Sequence, residues 1–161
     1  GEVKVQGIEV LLNYNFLENN PNLQLPLTFG YTLTDTEFLN SFGSENDIWG
    51  EVNSGDELPY IAKHQFNAAL SLEHQNFEIN LSGRYNGAFR TLAGSGPIPA
   101  DEKVASNFII DLGGRYRFNK HLALTANAIN LLDETYAVAR VPAGLRPGHP
   151  FGIYAGIELR Y

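Results

Sequence analysis

The chain has 161 residues, no cysteine and a formal net charge of -7. That acidity, with no basic cluster to offset it, argues against nucleic acid as a partner. The missing cysteines rule out a disulfide framework and any thiolate metal site. At 43% apolar the chain is not disordered by composition, yet its apolar runs of a few residues fall far short of the roughly 18 needed for a membrane helix.

Eight tyrosines, ten phenylalanines and sixteen glycines point to β structure with tight turns. The opening Gly1-Glu-Val-Lys-Val has neither the basic start nor the apolar stretch of a signal peptide, and methionine is absent throughout. The expectation is a mature chain or, better, a piece of a longer one.

The first strand is predicted from about Val5 to Leu17. Ile8, Val10, Leu12, Tyr14 and Phe16 share one face; Glu9, Asn13 and Asn15 share the other, where Leu11 is the exception. Glu18 to Asn22 is a short turn built from residues that favour turns. The second strand sets Leu23, Leu25, Leu27, Phe29, Tyr31 and Leu33 against Gln24, Thr28, Gly30, Thr32 and Thr34. Pro26 cannot donate to a ladder, so this strand begins after it or carries a bulge. From about Asp35 to Leu58 alternation dissolves into a long acidic loop, of a length that tends to be functional.

The third strand, about Ile61 to His74, places Phe66, Ala68, Leu70 and Leu72 opposite Gln65, Asn67, Ser71 and Glu73. After the turn His74-Gln-Asn76, the fourth strand sets Phe77, Ile79, Leu81, Tyr85 and Phe89 against Glu78, Asn80, Ser82, Arg84, Asn86 and Arg90. A second long loop covers 92–102. In the fifth strand Phe108, Ile110, Leu112, Tyr116 and Phe118 oppose Asp111, Arg115 and Arg117. Asn119-Lys-His121 turns the chain into a sixth, with Leu122, Leu124, Ala126 and Ala128 opposite Thr125 and Asn127. A third long loop, about Asn130 to Pro150, leads to a final strand from Phe151 to Tyr161. There Phe151, Ile153, Ala155, Ile157, Leu159 and Tyr161 alternate with Gly152, Tyr154, Gly156, Glu158 and Arg160.

Seven strands joined alternately by short turns and long loops, each with one apolar and one polar face, are the pattern of an antiparallel transmembrane β-barrel, and the final stretch has the roughly ten residues a tilted strand needs to cross a bilayer. Phe16, Phe77, Phe89, Phe108, Phe118 and Tyr161 fall near strand ends, where interfacial girdles form. A terminal aromatic closing the last strand is common in bacterial outer-membrane barrels. With a periplasmic C-terminus, all three long loops lie outside. An odd strand number leaves open edges, which lipid does not tolerate, so the count points to part of a larger barrel. One missed strand would instead give a small complete eight-stranded barrel with an adhesin, structural or enzymatic role. A soluble barrel is the inverse of this pattern, since it packs apolar rows inward.

The charged inner row, Glu78, Arg84, Arg90, Asp111, Arg115, Arg117, Glu158 and Arg160, reads as a hydrated lumen wall with internal ion pairs. Arg90, Arg140 and Arg146 lie near or on outer loops, where arginine forks suit the carboxylates of an anionic chelate; loop solvation is the plainer reading. Asn130 and Asp133 are placed to cap the start of their loop. His64, His74, His121 and His149 are scattered without metal-ligand spacing, and Ser106, Asp111 and His121 sit in no nucleophile motif. Neither a cofactor, a metal nor an enzymatic activity is expected.

The segment Asn130-Leu-Leu-Asp-Glu-Thr-Tyr136 resembles the N-L-F/L-D-x-x-Y motif of TonB-dependent outer-membrane receptors. Pro142 to Gly148 is similar to that family's G-x-P-R-like loop, except that Pro147 follows Arg146 instead of preceding it. Gly7-Ile-Glu9 and the stretch from Phe29 to Phe38 are also similar, and the loops most resemble the ferric citrate type. The resemblance covers essentially the whole chain. It implies the C-terminal seven strands of a 22-stranded, plugged barrel in the bacterial outer membrane, with a plug domain and the remaining strands upstream. It also implies lipid as surroundings, TonB as the energy partner through the upstream part, and a ferric siderophore or ferric citrate-like chelate as ligand.

Overall fold

In the computed structural model, residues 1–45, 49–141 and 143–161 are described. Seven long strands form one antiparallel sheet in chain order: β1 (Val3–Asn15), β2 (Pro26–Phe38), β3 (His64–His74), β4 (Phe77–Asn86), β5 (Asn107–Arg117), β6 (Leu122–Ile129) and β7 (Gly152–Leu159). Every neighbour in this order is a sequence neighbour, and β1 and β7 lie at the two edges without pairing to each other. No helix among the described residues is long and apolar enough to cross a membrane.

Register fixes which residues share a face. Ile8, Val10, Leu12 and Tyr14 stand opposite Leu33, Tyr31, Phe29 and Leu27. The same row continues through Phe66, Ala68 and Leu70, then Tyr85, Gly83 and Leu81, then Phe108, Ile110 and Leu112. It ends with Ala128, Ala126 and Leu124 against Ile153, Ala155 and Ile157. All seven strands thus present a continuous apolar surface. Ile8, Leu12, Leu81, Leu124, Ile153 and Ile157 are exposed on it, as side chains in contact with lipid would be.

Two aromatic belts bound this surface. At the loop end Tyr31, Phe66, Tyr85 and Phe108 adjoin, with the Phe66 and Tyr85 rings stacked at 4.9 Å and Phe108 5.9 Å from Phe66. At the turn end, Tyr14 meets Phe16, His74 meets Phe77 and Tyr116 meets Phe118, each at 5.0 Å. Phe77 and Tyr85 on β4 are separated by about 26 Å of strand, or about 20 Å of depth at the usual barrel tilt. One expected girdle residue departs from this arrangement. Phe89 lies beyond β4, which ends at Asn86, and packs in the loops against Tyr60.

Each short turn is held by a side chain. Asn20 Oδ1 accepts from the amides of Asn22 and Leu23 at 3.0 Å each. Asn119 Oδ1 does the same for His121 (2.8 Å) and Leu122 (3.0 Å). His74 Nδ1 accepts from Asn76 at 3.2 Å. Pro26 behaves as its chemistry demands. Leu23–Gln24 pairs separately with His74 and Glu73, the ladder lapses at Leu25, and β2 starts at Pro26 opposite Asn15. β2 also runs on to Phe38, four residues past the expected Thr34, because Val3 to Gly7 of β1 continue to pair with it.

Candidate functional site

The opposite face of the sheet is polar and cross-linked. Asn13 and Thr28 join at 2.9 Å, Gln65 and Asn86 at 2.9 Å, and Ser71 and Asn80 at 2.6 Å. Arg84 Nη1 lies 2.8 Å from Asp111 Oδ2. Glu158 pairs with both Arg115 and Arg160, the latter at 2.6 Å. This is the ion-paired lumen wall expected from the charged row. Arg84–Asp111 joins adjacent strands, Arg115–Glu158 reaches across β6, and Arg160–Glu158 closes at the end of β7, so the wall's charges are largely internal to it.

At the loop end the three long connections fold into a cap rather than hanging free, and each contains a short ladder that the sequence pattern did not announce. In the first loop Phe42–Gly43 pairs with Glu51–Val52. Phe38, 2% exposed, supplies the hydrophobic centre, with Phe42 and Trp49 at 5.6 Å each. In the second loop Phe89–Arg90 pairs with Lys103–Val104, and the hydroxyl and amide of Thr91 both donate to the Glu102 carbonyl. In the third, Ala137–Ala139 pairs with Arg146–Pro147.

The N-L-L-D-E-T-Y segment forms the base of the third loop. Asn130, 1% exposed, donates from Nδ2 to the carbonyls of Glu134 and His149, 2.9 Å each, and accepts from the Glu134 amide at 2.9 Å. Its own amide donates to Asp111 Oδ1 at 2.7 Å, so Asp111 serves Arg84 with one oxygen and the loop with the other. Asp133 accepts from the Phe151 amide at 3.2 Å. Asn130 and Asp133 take φ values of 49° and 50°, a left-handed conformation that these two residue types tolerate best. Tyr136 lies on Gly148, where a Cβ would overlap its ring, and its hydroxyl accepts from the His149 amide at 3.3 Å. The expected capping role of Asn130 and Asp133 is therefore what the loop base displays.

The three candidate arginines occupy unlike positions. Arg90 is 2% exposed; its Nε donates to Glu57 at 2.8 Å and its Nη2 to the Gly96 carbonyl at 3.0 Å. Arg140 is half-buried, and its Nε is buried without a hydrogen-bond partner among the described residues. Arg146 is exposed on the third-loop ladder. Lys63, just before β3, pairs with Asp35 at 2.9 Å, and the carboxylate's hydrogen bond and charge raise its pKa above the ordinary lysine value. Among the described residues no three His, Asp or Glu side chains are grouped to hold a metal ion.

The family described as TonB dependent receptor-like, beta-barrel matches residues 1–131. The chain belongs to it. Among solved structures, this receptor-like barrel chain superposes on the siderophore receptor PiuA from Acinetobacter baumannii with a TM-score of 0.75 at 17% identity, covering 99% of this chain and 22% of that one. The ferric citrate transporter FecA in its unliganded form gives a TM-score of 0.66 at 16% identity, covering 99% and 29%. The copper transporter OprC gives 0.65 at 17% identity, covering 98% and 23%. At these identities the likeness concerns the fold, and the chain spans under a third of the length of these structures. No curated protein matches the chain in sequence.

The receptor-like barrel's cap also depends on residues that the sequence pattern did not single out. Glu57, Tyr60 and Thr91 are scattered polar groups in irregular segments, and only their partners in space give them a role.

Proposed function

We propose that residues 1–161 are the C-terminal part of the barrel wall and outer mouth of a bacterial outer-membrane receptor. In this reading a plug domain and the other strands lie upstream. The receptor takes up a ferric siderophore or ferric citrate-like chelate with energy passed through TonB. The observation that carries the reading is the two-faced sheet: an apolar row on all seven strands between aromatic belts, a polar ion-paired wall behind it, and a structured cap at one end only. Family membership supports the same reading. A small complete eight-stranded barrel is disfavoured because β1 and β7 are not partners.

Arg90, Arg140 and Arg146 are the proposed ligand contacts, with unequal parts. Arg146 is exposed where an anionic chelate would arrive, Arg140 has a donor without a partner among the described residues, and Arg90 holds the loops through Glu57. The test is uptake of radiolabelled ferric dicitrate by cells carrying the full-length receptor, with and without TonB. TonB-dependent uptake that falls on Arg140→Glu and Arg146→Glu is expected. Uptake indifferent to TonB and to both charge reversals would overturn the assignment.

A further inference from the structure

The three loops of the cap meet at one side chain. Tyr60 has φ 62°, in the left-handed region, and is the only aromatic residue there among the described residues. A bulky residue stays in that region only when its surroundings over-determine it, and such outliers concentrate at clamps and functional sites. The Tyr60 amide donates to the carbonyl of Arg90 at 2.8 Å, in the second loop. Its ring lies 5.8 Å from that of Phe89. Its hydroxyl, 81 positions away in sequence, donates to the carbonyl of Val141 and accepts from the Val141 amide at 2.9 Å, with the Arg140 amide at 3.5 Å. One phenol thus takes up both main-chain groups of Val141.

We propose that Tyr60 is a positioning residue: it clamps the Arg140–Val141 backbone against the first and second loops and so presents the Arg140 guanidinium to an anionic ligand. The inference rests on the reading of Arg140 as a ligand contact and adds the group that places it. The Arg140 Nε supports it, because a buried donor without a partner among the described residues calls for an acceptor. The oxygen atoms of an anionic chelate supply one when the half-buried Arg140 side chain turns out toward the mouth. Arg90 is not an equivalent candidate, since Glu57 and Gly96 already occupy its Nε and Nη2. The ion pair of Arg90 instead stiffens the platform that holds Tyr60, and Glu57 strengthens that platform by bridging to Gly94.

The experiment uses the full-length receptor in outer-membrane lipid with Tyr60→Phe, Arg140→Ala and the double variant. Tyr60→Phe keeps the ring contact with Phe89 and removes only the hydroxyl. Hydrogen exchange reports the clamp without any ligand. Amides of 137–147 are expected to exchange several-fold faster in Tyr60→Phe while those of the seven strands do not change; unchanged exchange in that segment overturns the proposal. Ferric dicitrate binding reports the positioning. Loss of the hydroxyl is expected to weaken affinity about fivefold, the scale of one hydrogen bond, when Arg140 is present and to add nothing in the Arg140→Ala background. Equal weakening in both backgrounds would mean that Tyr60 serves loop packing alone and would overturn the positioning role. Should the unmodified receptor not bind ferric dicitrate, the ligand reading fails, and the exchange measurement still decides the clamp.

Discussion

The side-chain amide of Asn130 donates to the main-chain carbonyl of His149 at 2.9 Å, across 19 positions, and ties the two ends of the third outer loop together. The same side chain serves both main-chain groups of Glu134, so one buried amide closes the loop base. Asn130→Ala removes all three bonds and leaves their partners short of water. A loss of about 3 kcal/mol in local stability is expected, from two or three buried groups at roughly 1 kcal/mol each. Limited proteolysis of the full receptor checks it: cleavage within 131–148 accelerates while the barrel remains resistant. Asn130→Asp keeps one acceptor, permits the left-handed backbone and falls between the two.

Tyr136 and Gly148 form the second closure of that loop. Because a Cβ at Gly148 would overlap the Tyr136 ring, Gly148→Ala forces the ring from its seat, at a cost of about 2 kcal/mol typical of overpacking. Removing the obstacle relieves the clash, so Gly148→Ala combined with Tyr136→Ala is expected to cost clearly less than the sum of the two single changes. Exchange rates of the 134–149 amides, compared across the cycle, give the coupling. Simple additivity would show that the two residues do not meet.

The strands were legible in the sequence and the cap was not. A lipid-facing row followed by a lumen-facing row repeats every two residues, so Ile8 to Phe16 and Phe108 to Phe118 declare their faces without any knowledge of partners. Strand ends were less legible. β2 outruns its alternation because Gln6 and Lys4 keep pairing opposite Asp35 and Glu37, and β4 stops short of Phe89 because the second-loop ladder draws that residue away. Asn130 and Asp133 were readable because short amide and carboxylate side chains at the start of a loop cap its backbone; their left-handed φ was not. Tyr60 and Glu57 were not, because their partners lie dozens of residues away and an irregular segment has no period to mark them.

Asp111 works in two directions, accepting from the Asn130 amide with Oδ1 and from Arg84 with Oδ2. Asp111→Asn retains an acceptor for the loop and loses the charge, so it costs on the order of 1 kcal/mol, as a partly exposed ion pair does. Asp111→Ala loses both, and about 2–3 kcal/mol is expected, since the Asn130 amide is then orphaned. Thermal unfolding of the receptor, followed by its gel mobility in detergent, ranks the three proteins. An Asn variant as unstable as the Ala variant would place the importance of Asp111 in its charge instead.

The assignment of faces is testable at two adjacent positions on β6. Ala126 belongs to the outward row, paired with Ala155 and with Gly114, whereas Thr125 faces the wall opposite Arg115 and Gly156. Ala126 also lies between the aromatic belts, in the depth range where a cation facing lipid is most expensive. Ala126→Arg is expected to destabilise folding into lipid vesicles by about 2–4 kcal/mol, and Ala126→Leu to be tolerated. Thr125→Arg meets a hydrated, charged wall, so its penalty is set by crowding against Arg115 and not by lipid; salt in the buffer reduces it by screening. Salt leaves the Ala126→Arg penalty in place. If the two penalties exchanged places, the register of β6 would be off by one residue, and because the side-chain period is two, the lumen wall and the lipid face would change places with it.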